Sequence, residues 1–182
     1  MFLGVQFVFA LLAAAVTQAA PAAELPSLES RQSAVTTLTA AQVASYKPYT
    51  LYASVAYCKP AQTLAWNCGA KCNSNSGFKP VASGGDGAVT QYWFVGYDPA
   101  LATVIVSYQG TDAAKILPLI TDADFFLEPL RPSLFPGVSS SIKTHNGFGA
   151  AQARSATAVL NAVKSAQATY GAKKVTIVGH SL

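Results

Sequence analysis

The chain closes on Gly179-His180-Ser181-Leu182, directly after the apolar run Val175 to Val178. Four of the five positions of Gly-x-Ser-x-Gly are present, in the order buried strand, tight turn, serine at the tip. Such a turn pushes the serine out of the sheet, and small residues two positions either side make room for it; Gly179 is one of them. The chemistry it would serve is acyl transfer by a serine nucleophile. A serine hydroxyl is weak at neutral pH, so it needs a base, an acid to orient that base, and donors for the oxyanion. The second glycine and the helix it opens are not present. The pattern therefore predicts an incomplete hydrolase, cut one residue after its nucleophile Ser181.

Other parts of that chemistry have candidate residues upstream. "VSYQGTD" ends an apolar run with Gly110-Thr111, where a backbone N–H could meet the oxyanion from the opposite side. "HNGFGAAQARS" opens the helical stretch that leads to the serine. The two histidines, His145 and His180, are poor candidates for the base. Adjacent residues on a sharp turn point in different directions, which sets His180 away from Ser181.

The elements that must position these residues follow from pattern. Thr39 is a fair N-cap for a helix from Ala40 to Tyr46, and Pro48 suits the first turn of a second helix, Pro48 to Tyr57, with Leu51, Tyr52 and Val55 inward. Cys58 to Gly87 has no clear period and reads as loop. Gln91–Asp98 and Ala102–Gly110 read as strands joined by a hairpin-like Pro99-Ala100-Leu101. Residues 111–147 carry four prolines and no sustained period, a length usually reserved for lids or binding loops. Phe148 to Tyr170 reads as a helix with Ala156, Val159, Leu160, Val163, Ala166 and Tyr170 on one face, Asn146 as N-cap and Gly171 as C-cap. Strand, helix, strand predicts that Val175–Val178 lies parallel to Ala102–Gly110, in a sheet covered on both faces.

Composition narrows the classes. With 182 residues the chain is long enough for one domain with a real core. Its net charge of +4 comes from scattered residues, with no basic stripe interleaved with aromatics, so nucleic-acid binding has no support. Met1 to Ala20 is an apolar and small-residue run ending in a plausible cleavage site, and reads as a signal peptide. Its apolar core, Val5 to Val16, is shorter than the ~20 residues a membrane span requires. Secretion is expected, with no stable membrane anchor. Residues 21–38 read as a linker or short pro-segment, and residues 39–182 as the partial catalytic domain. Of the three cysteines, Cys68 and Cys72 are placed for a short local disulfide in an Asn/Ser/Gly-rich loop; no nearby His or fourth ligand supports zinc. Cys58 is left over, with a partner expected beyond residue 182.

The segments "SVAYC", "VSYQGTD", "HNGFGAAQARS" and the Gly179–Leu182 turn, in that order across residues 39–182, resemble the class 3 lipases of fungi. The resemblance implies an α/β-hydrolase fold, here its N-terminal part: a mostly parallel central sheet with flanking helices, ending at the nucleophile elbow. It implies a carboxylic-ester hydrolase, triacylglycerol lipase first, acting on a lipid or ester substrate at an interface without metal or organic cofactor. Ser181 matches the nucleophile; Thr111 and Leu182 match the oxyanion-hole positions. Asp112 to about Phe125 falls where the family has its lid, with Ile116, Leu117, Leu119 and Ile120 apolar enough to touch lipid. His145 matches a structural His-x-Gly-Phe histidine, not the base.

The sequence also departs from the family. Gln109 stands where many members carry Arg, and Asp112 where Ser or Asn is common. The triad order in this fold is Ser, Asp, His, which puts the acid and base after Leu182 and predicts that these 182 residues alone are inactive. A feruloyl or acetyl-xylan esterase is the nearest alternative, and an inactive lipid-binding relative is the alternative of another class.

Overall fold

A computed structural model describes residues 36–110 and 126–181. From Leu38 onward the described residues belong to one compact unit. The expected signal peptide, most of the linker, Thr111, the lid segment and Leu182 lie outside the described residues.

Helix α1 (Ala40–Val55) begins as expected at Thr39, which forms a reciprocal capping box with Gln42. Gln42 donates its N–H to the Thr39 hydroxyl at 3.2 Å, and the Thr39 N–H reaches the Gln42 side-chain oxygen at 2.8 Å. The expected break into two helices does not occur: Pro48 sits inside a single helix. An interior proline costs about 3 kcal/mol through a lost hydrogen bond and a ring clash. The carbonyl it orphans belongs to Ala44, which is exposed and open to water, while Pro48's own carbonyl accepts from Asn75 at 3.2 Å. Full burial of Tyr52 and Val55 beyond the proline, about 1.5–3 kcal/mol per large apolar side chain, offsets the cost.

The segment read as loop from Cys58 to Gly87 carries three elements: α2 (Pro60–Ala65), α3 (Ala70–Asn73) and β1 (Lys79–Gly84). Cys68 and Cys72 are joined, with Cα atoms 5.2 Å apart, and Cys58 is free. β2 (Trp93–Asp98) and β3 (Thr103–Tyr108) form the expected hairpin, paired from Trp93↔Tyr108 to Asp98↔Thr103. The Asp98 carboxylate closes the turn by accepting from the N–H groups of Ala100 (2.7 Å) and Leu101 (3.0 Å). Short strands β4 (Leu127–Pro129) and β5 (Lys143–His145) make a separate antiparallel pair within the stretch expected to be a structureless loop. Helix α4 (Asn146–Tyr170) follows, then β6 (Val175–Gly179).

The main sheet has the order β1-β2-β3-β6, with β3 and β6 parallel as expected and the other pairs antiparallel. Alternation along β2 and β3 splits the core into two layers. Val95, Val104 and Val106 pack with Val159, Ala162 and Ala166 of α4; Phe94 and Ile105 pack with Tyr52, Val55 and Ala56 under α1. Two expectations fail here. Leu160 points outward (52% exposed), because Ser155, Val159, Ala162 and Ala166 form the buried stripe of α4. In β6, Ile177 is 74% exposed, so the sheet is not covered on both faces at that strand among the described residues. α4 packs mainly across β1, β2 and β3. No helix of the described residues is long and apolar enough to cross a membrane.

Candidate active site

The two strand ends expected to carry chemistry meet in space. β3 and β6 run parallel with Tyr108 opposite Gly179, so residues leaving both strands emerge at the same sheet edge. Immediately past β6, Ser181 holds φ +63°, one of three non-glycine residues among those described with positive φ. A left-handed conformation costs a non-glycine residue about 1–3 kcal/mol and persists only where its surroundings impose it. This is the strained turn that a nucleophile elbow requires.

Gly110 faces that turn. A Cβ there would overlap the His180 carbonyl oxygen and lie 2.6 Å from the Tyr57 hydroxyl, so only a glycine lets the two backbones approach this closely. Gln109, which stands where many of the resembled lipases carry Arg, is 8% exposed and extends the β2–β3 ladder by one step. Its N–H donates to the Tyr92 carbonyl at 2.8 Å, and its side-chain oxygen accepts from the Tyr92 N–H at 3.1 Å. A neutral amide, satisfied on the neighbouring strand, thus replaces a cation and any ion pair it would make.

Tyr57, at the exit of α1, is the site residue that sequence reasoning missed. Its hydroxyl lies 3.1 Å from the His180 carbonyl oxygen and 3.1 Å from His180 Nδ1. "SVAYC" carries part of the family resemblance, but nothing in it assigns Tyr57 a place in the site. Together with Thr50, Ala53, Ser54, Lys71 and His180, Tyr57 lines a cavity of about 390 Å³ beside the turn.

The other histidine has a structural task. His145 is the N-cap of α4, in place of the expected Asn146: its Nδ1 accepts from the Gly147 N–H at 3.1 Å, and its ring lies 4.9 Å from that of Phe148. α4 thus starts two residues earlier than its periodicity suggested. Of the sequence-derived site residues, Ser181 is in the described structure, on the strained turn. Thr111, Leu182 and the lid residues Ile116, Leu117, Leu119 and Ile120 lie outside the described residues. No cluster of His, Cys, Asp or Glu among the described residues is arranged to hold a metal ion.

Residues 105–182 match the family model described as lipase (class 3). No curated protein sequence matches the chain. Among solved structures, the chain superimposes on a triacylglycerol lipase described as having a serine protease triad at its catalytic centre (TM-score 0.64, 21% identity, 80% of this chain and 52% of that one). The Rhizomucor miehei triacylglyceride lipase gives a TM-score of 0.63 at 21% identity, with the same coverage. The Lip2 lipase of Yarrowia lipolytica gives 0.62 at 17% identity, over 80% of this chain and 50% of that one. At such identities the superpositions establish the fold, and the chain spans about half the length of the lipases it matches.

Proposed function

We propose that this chain, which belongs to the fungal class 3 lipase family through residues 105–182 and has the α/β-hydrolase fold, supplies the nucleophile half of a secreted triacylglycerol lipase. The observation that carries the reading is Ser181 at φ +63° on the turn after β6, packed against the end of β3. Ser181 Oγ attacks the ester carbonyl carbon, the alcohol leaves as the C–O bond breaks, and water then cleaves the acyl-enzyme. Thr111, one residue past Gly110, and Leu182, one past Ser181, are the oxyanion donors in this reading. The base and acid follow the serine in chain order in this fold, so the activity proposed is that of a protein that also carries them. The superimposed triacylglycerol lipase with its serine-protease triad supports that assignment of roles.

The apolar N-terminus, read as a signal peptide, supports secretion, and the Cys68–Cys72 bridge suits an oxidising compartment. The segment from Asp112 to Phe125 acts as the lid. Replacing Ile116 and Leu117 with Ser is expected to lower turnover on emulsified triglyceride far more than on soluble short-chain esters; equal losses on both substrates would remove the lid assignment.

The nucleophile is tested directly. A p-nitrophenyl alkylphosphonate should label Ser181 stoichiometrically in the enzyme, and Ser181→Ala should abolish both labelling and ester turnover while leaving the fold intact. Labelling at another residue, or turnover surviving in Ser181→Ala, would sink the proposal.

A further inference from the structure

We propose that Tyr57 is a positioning residue for the nucleophile: its hydroxyl holds the His180–Ser181 peptide in the orientation that sets Ser181 on its strained turn. The inference rests on the reading of Ser181 as nucleophile, and adds a residue that the reading does not need.

The hydrogen-bond inventory fixes the direction of each contact. A tyrosine hydroxyl has one proton to give, and two acceptor sites lie 3.1 Å away: the His180 carbonyl oxygen and His180 Nδ1. A carbonyl can only accept, so the proton goes to it. The Tyr57 oxygen then accepts from Nδ1, which must carry a hydrogen. The result is a closed ring of bonds: His180 Nδ1–H to Tyr57 Oη, and Tyr57 Oη–H to the carbonyl of the same histidine. A hydroxyl that accepts one bond is a stronger donor in the next.

The carbonyl so held belongs to the peptide that carries the Ser181 N–H. Turning that peptide would turn the Ser181 Cα, and with it the direction of Oγ. The same carbonyl also meets Gly110, where no Cβ fits. Hydroxyl and glycine together leave the peptide one orientation, which is how a left-handed serine is kept in place at φ +63°.

The holder is itself fixed. Past the end of α1, the Tyr57 N–H reaches the Ser54 carbonyl at 3.4 Å, and the Cys58 N–H reaches the Val55 carbonyl at 2.9 Å. One turn earlier, Tyr52 donates to the buried Asp98 carboxylate at 2.6 Å, and the Ser107 hydroxyl donates to the Tyr52 carbonyl at 3.2 Å. The elbow is thereby referenced to β2 and β3 through α1 as well as through the β3–β6 ladder.

The test uses the enzyme carrying its full triad. Tyr57→Phe keeps the ring and deletes the hydroxyl; kcat should fall about tenfold, equivalent to ~1.4 kcal/mol, with KM within twofold. Long-range 1H–15N correlation on the folded parent should show the neutral His180 ring protonated at Nδ1, and Tyr57→Phe should return it to the usual Nε2–H form. Parent protein with His180 protonated at Nε2 alone overturns the ring of bonds without any variant. A Tyr57→Phe enzyme with kcat within twofold of the parent overturns the positioning role. Turnover persisting in Ser181→Ala strikes instead at the nucleophile assignment, so the two failures are told apart.

Discussion

The contact between the ends of β3 and β6 makes Gly110→Ala the sharpest perturbation of the site. An alanine Cβ at this position would lie 2.6 Å from the Tyr57 hydroxyl and 3.1 Å from the His180 carbonyl carbon, and would overlap the His180 carbonyl oxygen. Ordinary contact begins near ~3.5 Å, so Tyr57 would have to retreat by about 0.9 Å and the His180 carbonyl by more. Backbone cannot yield as a flexible side chain does, and overpacking of this kind costs about 1–3 kcal/mol. In a domain of this size each kcal/mol lowers Tm by roughly 2–4 °C. The effect on catalysis should exceed the effect on stability, because a displacement near 1 Å at a reacting group can cost ~10²-fold. Gly77→Ala is the control: its nearest neighbour is Pro99 Cγ at 4.0 Å, and it should leave Tm and turnover unchanged. Thermal denaturation and kcat/KM on a soluble p-nitrophenyl ester read both quantities. A Gly110→Ala enzyme within threefold of the parent in kcat/KM would show that the two strand ends are not in functional contact.

Two further outcomes concern the supports of the site. Tyr52→Phe removes a donor from the buried Asp98 carboxylate, and urea denaturation should show a loss of about 1.5–3 kcal/mol, as for hydrogen bonds to charged groups. Burial first, and then the bond to Asp98, push the Tyr52 hydroxyl well above the usual tyrosine range. A folded value above the unfolded one means that this contribution is intact below about pH 10 and is lost as pH rises beyond it. Tyr52→Phe should therefore flatten the alkaline fall in stability, and an unchanged alkaline limb would refute the assignment. Thr111→Val deletes the hydroxyl of the proposed oxyanion residue; losing one such donor typically costs ~10²–10³ in turnover, with KM and Tm little changed. A variant within twofold of the parent would leave Thr111 at most a backbone role.

What could be read in advance divides along physical lines. β2, β3, β6 and α4 were legible because long apolar or periodic runs end in Asp98, Gly110, Gly171 and Gly179, residues that stop or turn a chain. The parallel placement of β6 followed from one crossover rule. α1 was misread because proline is ordinarily a boundary, and the burial of Tyr52 and Val55 that offsets its cost depends on Phe94 and Ile105, remote in sequence. β1 was missed because "KPVASG" carries Pro80 and Gly84 and lacks alternation; it lies at the sheet edge, with its register broken between Pro80 and Ala82, where proline is tolerated. Within the site, Ser181 declares itself through a local motif. The bond from Tyr57 to His180 spans 123 positions and leaves no local trace.

The same topology has a consequence for how the molecule is assembled. Asp98 and Thr103 pair across 5 positions, whereas Val104 and Val175 pair across 71. Closing the longer loop costs about 2 kcal/mol more in chain entropy, since the cost grows as (3/2)RT ln n. The β2–β3 hairpin should therefore form early and β6 should join late, an order that pulsed hydrogen exchange would report as protection of the Gln109 N–H, which donates to the Tyr92 carbonyl, before that of the Val104 N–H, which donates to the Lys174 carbonyl. Ser181 adopts its strained turn only when β6 has docked against β3. A chain still folding would thus present Gly110 and Tyr57 without the His180 carbonyl that both meet, and its serine would be an ordinary flexible alcohol. The left-handed backbone at Ser181 thus arrives as a late event of folding, when β6 joins the sheet.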